Sequence, residues 1–114
     1  MENVFIEMLS FQVKLDKTVE FDSLLAEMTA ECARQAGCLS VRGFKRFFTF
    51  DGVKPGDPPR ALTRLVKCTK YYIYWEFASI ESCGTANGWL FERWAKRLAP
   101  LLIAPFEINS GFAV

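Results

Sequence analysis

The chain has no histidine at all among its 114 residues. That absence excludes His-ligated haem, His-containing zinc sites, Ser-His and Cys-His catalytic pairs, and imidazole acid–base chemistry. It has no apolar run near the ~18 residues that cross a bilayer, so no membrane partner is expected. Its four cysteines, Cys32, Cys38, Cys68 and Cys83, include no C-x-x-C pair. The first residues, MENVFIEML, show neither a basic leader nor a small-residue cleavage pattern. The thiols are therefore expected to be free, in a reducing, cytoplasmic setting. Repeats, linkers and low-complexity segments are missing too, and one domain over residues 1–114 is expected. Net charge, at +1, argues nothing as a total.

Aromatic side chains are what the sequence has in surplus. The hydrophobic share is 51% and the aromatic share 15%, more than one small core needs, so part of that surface is expected to meet a ligand or a second subunit. The run YYIYWEF, Tyr71 to Phe77, concentrates the surplus. As a strand it puts Tyr71, Ile73, Trp75 and Phe77 on one face and Tyr72, Tyr74 and Glu76 on the other.

Periodicity assigns the rest. Val4 to Val13 reads as a strand, with Phe5, Glu7, Leu9 and Phe11 on one side and Val4, Ile6, Met8 and Ser10 on the other. Phe21, Leu24, Leu25, Met28, Cys32 and Ala36 recur at helical spacing over about five turns. Asp16 or Thr18 is the expected N-cap, Glu27, Glu31 and Arg34 should face water, and Gly37 should close the helix in the left-handed conformation. A long strand is expected over Cys38 to Phe50, and a loop over Val53 to Ala61, where three prolines and a glycine oppose regular structure. A third strand follows over Leu65 to Ser79. Ser79 should cap a second helix that Gly84 and Gly88 weaken, with a break near Asn87. Phe106 to Val114 alternates as a last strand. The order β-α-β-β-α-β predicts an α+β, ferredoxin-like antiparallel sheet with both helices on one face. The other face is apolar enough to call for a cover, and a homodimer is the simplest one.

In this order the residues resemble a known family. Gly37, Cys38 and Leu39 after the first helix, YWEFASIES from Tyr74 to Ser82, Phe91 and Trp94 in the last helix, and APLLIAP from Ala99 to Pro105 are similar to the antibiotic biosynthesis monooxygenase-like proteins of the dimeric α+β barrel superfamily. The resemblance spans most of the chain except residues 51 to about 64. It implies a barrel of two paired sheets, with a pocket for a flat hydrophobic molecule between each sheet and its helices. It further implies oxidoreductase chemistry, a monooxygenase acting on quinols or polyketide-like aromatics without metal, flavin or other cofactor. The substrate, as a carbanion or phenolate, passes an electron to oxygen, and the protein provides a dry pocket, a base and polar groups that hold the oxyanion. Haem-degrading relatives use an Asn, a Trp and a His at positions held here by Met8, Phe77 and Asn87, so that role is not expected.

Candidate site residues follow. Glu76, among tyrosines, is either a desolvated base or a structural carboxylate bonded to a tyrosine hydroxyl. Glu7 is a similar candidate. Asn87 stands where relatives carry a histidine and could orient a substrate oxygen, or could simply cap a helix. Tyr72, Tyr74, Trp75, Phe77, Trp89 and Trp94 could line an aromatic pocket or fill the core. The cysteines read as small buried apolar residues.

Charge is unevenly spread. Arg42, Lys45, Arg46, Lys54, Arg60, Arg64, Lys67 and Lys70 are opposed within their segment only by Asp51 and Asp57. This basic hairpin, with its extended loop at about 51–64, could hold an anionic ligand or an acidic partner, or merely protect a sheet edge. The alternative to an enzyme is accordingly a non-catalytic binding or interaction module. Nucleic acid is disfavoured: Arg42-Gly43-Phe44 resembles the start of the RNA-recognition aromatic motif, but Lys45 and Arg46 break it and it lies on the wrong strand.

Overall fold

The computed structural model describes residues 3–64 and 67–114. Leu65 and Val66, the expected start of the third strand, lie outside the described residues. Strand β1 (Phe5–Lys14) leads through a short 3-10 turn at Leu15–Lys17 into helix α1 (Thr18–Cys32). Strand β2 (Cys38–Lys45) follows, then a two-stranded ribbon of β3 (Phe48–Thr49) and β4 (Arg60–Ala61). Strand β5 (Cys68–Phe77), helix α2 (Ile80–Leu98) and strand β6 (Glu107–Phe112) complete the chain. The main sheet is antiparallel in the order β2-β5-β1-β6, the ferredoxin-like arrangement.

Period-two alternation dictates which side chains meet the helices. Phe5, Glu7, Leu9, Phe11 and Val13 of β1 are buried, as are Thr69, Tyr71, Ile73, Trp75 and Phe77 of β5. The helices bury single stripes against them: Phe21, Leu25, Met28 and Cys32 from α1, and Cys83, Ala86, Leu90, Trp94 and Leu98 from α2. Gly43, facing α1 on β2, allows the approach, since a methyl there would sit 3.3 Å from Leu25. One sheet and one helix layer account for the 20 Å short dimension of a body measuring 41 by 36 by 20 Å.

Local chemistry sets the boundaries. The Ser79 hydroxyl accepts from the Ser82 amide at 3.1 Å and caps α2 as expected. Glu31, expected in water, instead bridges the helices. It accepts from Arg93 Nε and Nη2 at 3.0 and 3.1 Å, and from the Trp94 indole at 3.2 Å. Arg93 thereby holds the Glu31 carboxyl below its ordinary range. Helix α1 ends at Cys32, a turn earlier than its periodicity predicts, and has no side-chain N-cap. Gly37 does take the left-handed conformation, with φ 83°. It lies in the turn beyond the helix and leaves no room for a methyl beside the Ser82 hydroxyl.

Three further expectations are corrected. Helix α2 is unbroken at Asn87, because the buried stripe from Cys83 to Leu98 holds it to the sheet through the two glycines. The second strand stops at Lys45 rather than Phe50, since β3 leaves the main sheet to pair with β4. The proline-rich segment is not entirely loop: Arg60 and Ala61 pair with Thr49 and Phe48. Among the described residues no helix is long and apolar enough to cross a membrane.

Candidate functional site

The sheet's helix-facing side carries one carboxylate, Glu7, only 1% exposed. Its position follows from register alone, since it alternates with Phe5 and Leu9 and sits opposite Trp75 on β5 and Ser110 on β6. Two side chains one turn apart on α2 reach it from above. Asn87 Nδ2 donates to Glu7 Oε1 at 2.6 Å and also to the Cys83 carbonyl at 2.9 Å. Two acceptors on the same nitrogen fix the orientation of that amide. The Cys83 thiol donates to the same Glu7 oxygen at 3.5 Å.

Burial pushes the Glu7 carboxyl above its ordinary value, against the opposing pull of the Asn87 and Cys83 hydrogen bonds. Burial, with the Glu7 charge beside it, pushes the Cys83 thiol up to about 12, so it serves as a donor and not as a nucleophile. Burial likewise raises Cys32 to about 12. All four cysteines are free.

Three buried polar atoms in this neighbourhood have no hydrogen-bond partner among the described residues: Glu7 Oε2, Asn87 Oδ1 and Trp75 Nε1. Buried polar atoms are seldom left unpaired, because each such group costs about 1–3 kcal/mol. Here an acid and an amide acceptor meet across the helix–sheet interface, and the indole donor belongs to Trp75, the cross-strand partner of Glu7. Such a set can take a proton, accept a hydroxyl and donate to a developing oxyanion. The pairing of Glu7 with Asn87 and Cys83 escaped the sequence reading. The signal was faint: a lone acid at an inward-facing strand position, matched by an i, i+4 polar pair on a helix.

The structure does not bring Glu76 and Asn87 together. Glu76 points to the sheet's open side, where it accepts from the Tyr74 hydroxyl at 3.0 Å, and its neighbour on β2 is Ser40. The Glu76 bond in turn raises the Tyr74 phenol. Tyr72 is also on that side, stacked on Phe44 with centroids 5.1 Å apart. The other four aromatic candidates lie on the helix side. Trp75, Phe77 and Trp94 are wholly buried, whereas Trp89 is half-buried at the margin of the core. Arg97 lies over the Trp94 ring at 4.1 Å.

The basic residues are similarly divided. Arg42 and Lys70 belong to the open face, opposite Tyr74 and Gln12. Lys70 lines a shallow groove there with Met8, Ser10, Tyr72, Glu107 and Asn109. Lys45 pairs with Asp22 at 3.2 Å, and Arg60 Nε donates to the Asp51 carbonyl at 2.7 Å. Arg46, Lys54, Arg64 and Lys67 are exposed on or beside the ribbon.

With its sheet order and its helices on one face, the chain has the ferredoxin-like α+β fold of the antibiotic biosynthesis monooxygenase type. Among solved structures it is similar to a candidate antibiotic biosynthesis monooxygenase from Nitrosomonas europaea, with a TM-score of 0.72 and 13% identity over 100% of this chain and 93% of that one. A second such candidate, from Caulobacter crescentus, gives 0.69 and 18% over 99% and 92%. SnoaB, a cofactor-independent oxygenase from Streptomyces nogalater, gives 0.65 and 19% over 96% and 92%. At these identities the likeness is one of fold. No family model matches the sequence, and no curated protein sequence matches it significantly.

Proposed function

We propose that the protein is a homodimeric, cytoplasmic, cofactor-independent monooxygenase for a hydrophobic aromatic molecule of the quinol or polyketide type. One observation carries this reading: Glu7, a buried carboxylate held by Asn87, keeps one oxygen unpaired, as do the amide oxygen of Asn87 and the indole of its cross-strand partner Trp75. A base on the helix side is supported over one at Glu76, because Glu76 is already bonded to a tyrosine and faces away from the helices. In this reading ionised Glu7 takes a proton from a phenolic O–H or activated C–H of the substrate. The resulting anion passes one electron to dioxygen, and the two radicals combine at a ring carbon that bears hydrogen to give a peroxide anion. That anion takes the proton back from Glu7, and the hydroperoxide then loses water, with the hydrogen of that carbon, to leave the quinone carbonyl. Asn87 Oδ1 holds a substrate hydroxyl, and the Trp75 indole N–H stabilises the oxygen that gains charge. Trp89 and the inner face of α2 form the aromatic wall.

The test is oxygen uptake with a panel of quinols and polycyclic phenols. Glu7→Gln is expected to lower turnover by about 10²–10⁴-fold, the usual worth of a general base. Glu76→Gln should leave turnover within a few-fold. The reverse pattern would move the base to the other face.

A non-catalytic binding module is the second reading. The complete burial of Trp75, Phe77 and Trp94 favours it. Tight binding of the same aromatics without oxygen uptake would decide for it.

A further inference from the structure

The β3–β4 ribbon is too small to stand alone. Its strands share two residue pairs, Phe48 with Ala61 and Thr49 with Arg60, and an isolated hairpin of that size is marginal in water. It nonetheless presents Phe47, Phe48 and Phe50 to solvent, at 42%, 56% and 66% exposure. Phe48 and Phe50 flank the buried Thr49, and Phe47 meets Phe48 edge-on at 6.3 Å. The strip continues along the chain into Phe44, which stacks on Tyr72 in the uncovered face of the main sheet. Exposed rings grouped in this way mark a contact surface.

Charge indicates the partner. From Arg42 to Lys70, eight basic side chains stand against two acidic ones, so the segment is +6; with the chain at +1, the remainder is −5. Arg46, Lys54 and Arg64 form no ion pair among the described residues. The complement to the ribbon is therefore present on the chain itself. Residues 43–64 contain no Asn or Gln for the bidentate amide contact to adenine, and no Trp or Tyr to sit at a lipid headgroup level.

We propose that the ribbon is a docking arm for a second copy of this chain. Phe47, Phe48 and Phe50 bury against the partner's apolar surface, and Arg46, Lys54 and Arg64 meet its acidic body. The arm extends a face-to-face pairing of the two open sheets, so it rests on the homodimer in the functional reading above.

Sedimentation velocity on the full chain tests it. The triple variant Phe47→Ser, Phe48→Ser and Phe50→Ser is expected to weaken the dimer about tenfold or more, because exposed rings that become buried are where binding energy concentrates. The pair Arg46→Glu and Lys54→Glu should weaken it less and remove most of its salt dependence. An unchanged dissociation constant in the triple variant overturns the arm while leaving the homodimer intact. A wild-type monomer at micromolar concentration overturns both. Loss of binding to phosphatidylserine vesicles or to a single-stranded oligonucleotide, with the dimer unaffected, also overturns it. Thermal midpoints equal to wild type will show that the variants are folded; should the triple variant unfold, the charge-reversal pair decides.

Discussion

The two sides of the main sheet are built from the same strands yet obey different rules. On the helix side β1 and β5 contribute ten buried positions, nearly all apolar, and the single acid among them is held by two donors from α2. On the open side the same strands contribute Ile6, Met8, Tyr72 and Tyr74, but also Ser10, Gln12, Lys70 and Glu76, and all but Lys70 of these are only partly buried. A carboxylate among rings therefore means different things on the two sides. Glu76 keeps solvent and a tyrosine hydroxyl beside it, whereas Glu7 is desolvated. What tells them apart is which face an odd or even position occupies.

That contrast can be broken at several points. Trp75→Ala should have the largest effect, about 3–5 kcal/mol of stability by urea titration, because it empties a wholly buried site on the helix side. Gly37→Ala should cost about 2 kcal/mol or more, since it combines a positive φ with a collision at Ser82. Glu31→Ala should lower stability by less than Gly37→Ala, because it unpairs both Arg93 and the Trp94 indole. Tyr74→Phe, on the open side, should have the smallest effect on monomer stability of the four. A loss at Tyr74 comparable to that at Trp75 would abolish the distinction between the faces.

Acidity sharpens the same comparison. A carboxyl whose folded value is raised stabilises the fold fully below its unfolded value, and that contribution is lost as pH rises through the folded value. Stability should therefore fall across that window in the wild type, and Glu7→Gln should remove the slope. In the proposed reaction turnover should move the opposite way, rising as Glu7 ionises, with its acid limb displaced upward from the ordinary carboxylate range. A wild-type stability slope that persists in Glu7→Gln would assign the titration to another group.

Much of this arrangement was legible in the chain. Alternation in Phe5–Phe11 and Tyr71–Phe77 assigned every side chain to its face, and Ser79 announced α2. Three features were hidden, each for a physical reason. Gly84 and Gly88 argued for a broken helix, but tertiary burial of one stripe outweighs their local cost. Glu31 looked solvated on a helical wheel, and only the nearness of α2 supplies Arg93 and Trp94. The Glu7–Asn87 bond joins residues 80 positions apart, and periodicity within either element cannot reveal such a contact.

The glycines of α2 have one more consequence. Nothing lies within contact distance of where their missing methyls would be, so each weakens the helix by about 1 kcal/mol without improving any packing. Both fall in the half of α2 that carries Cys83 and Asn87, directly over Glu7. Fraying of this half of α2 should therefore uncover Glu7 more readily than opening of the half from Leu90 to Leu98. Amide protons near Gly84–Gly88 should exchange faster than those from Leu90 to Leu98.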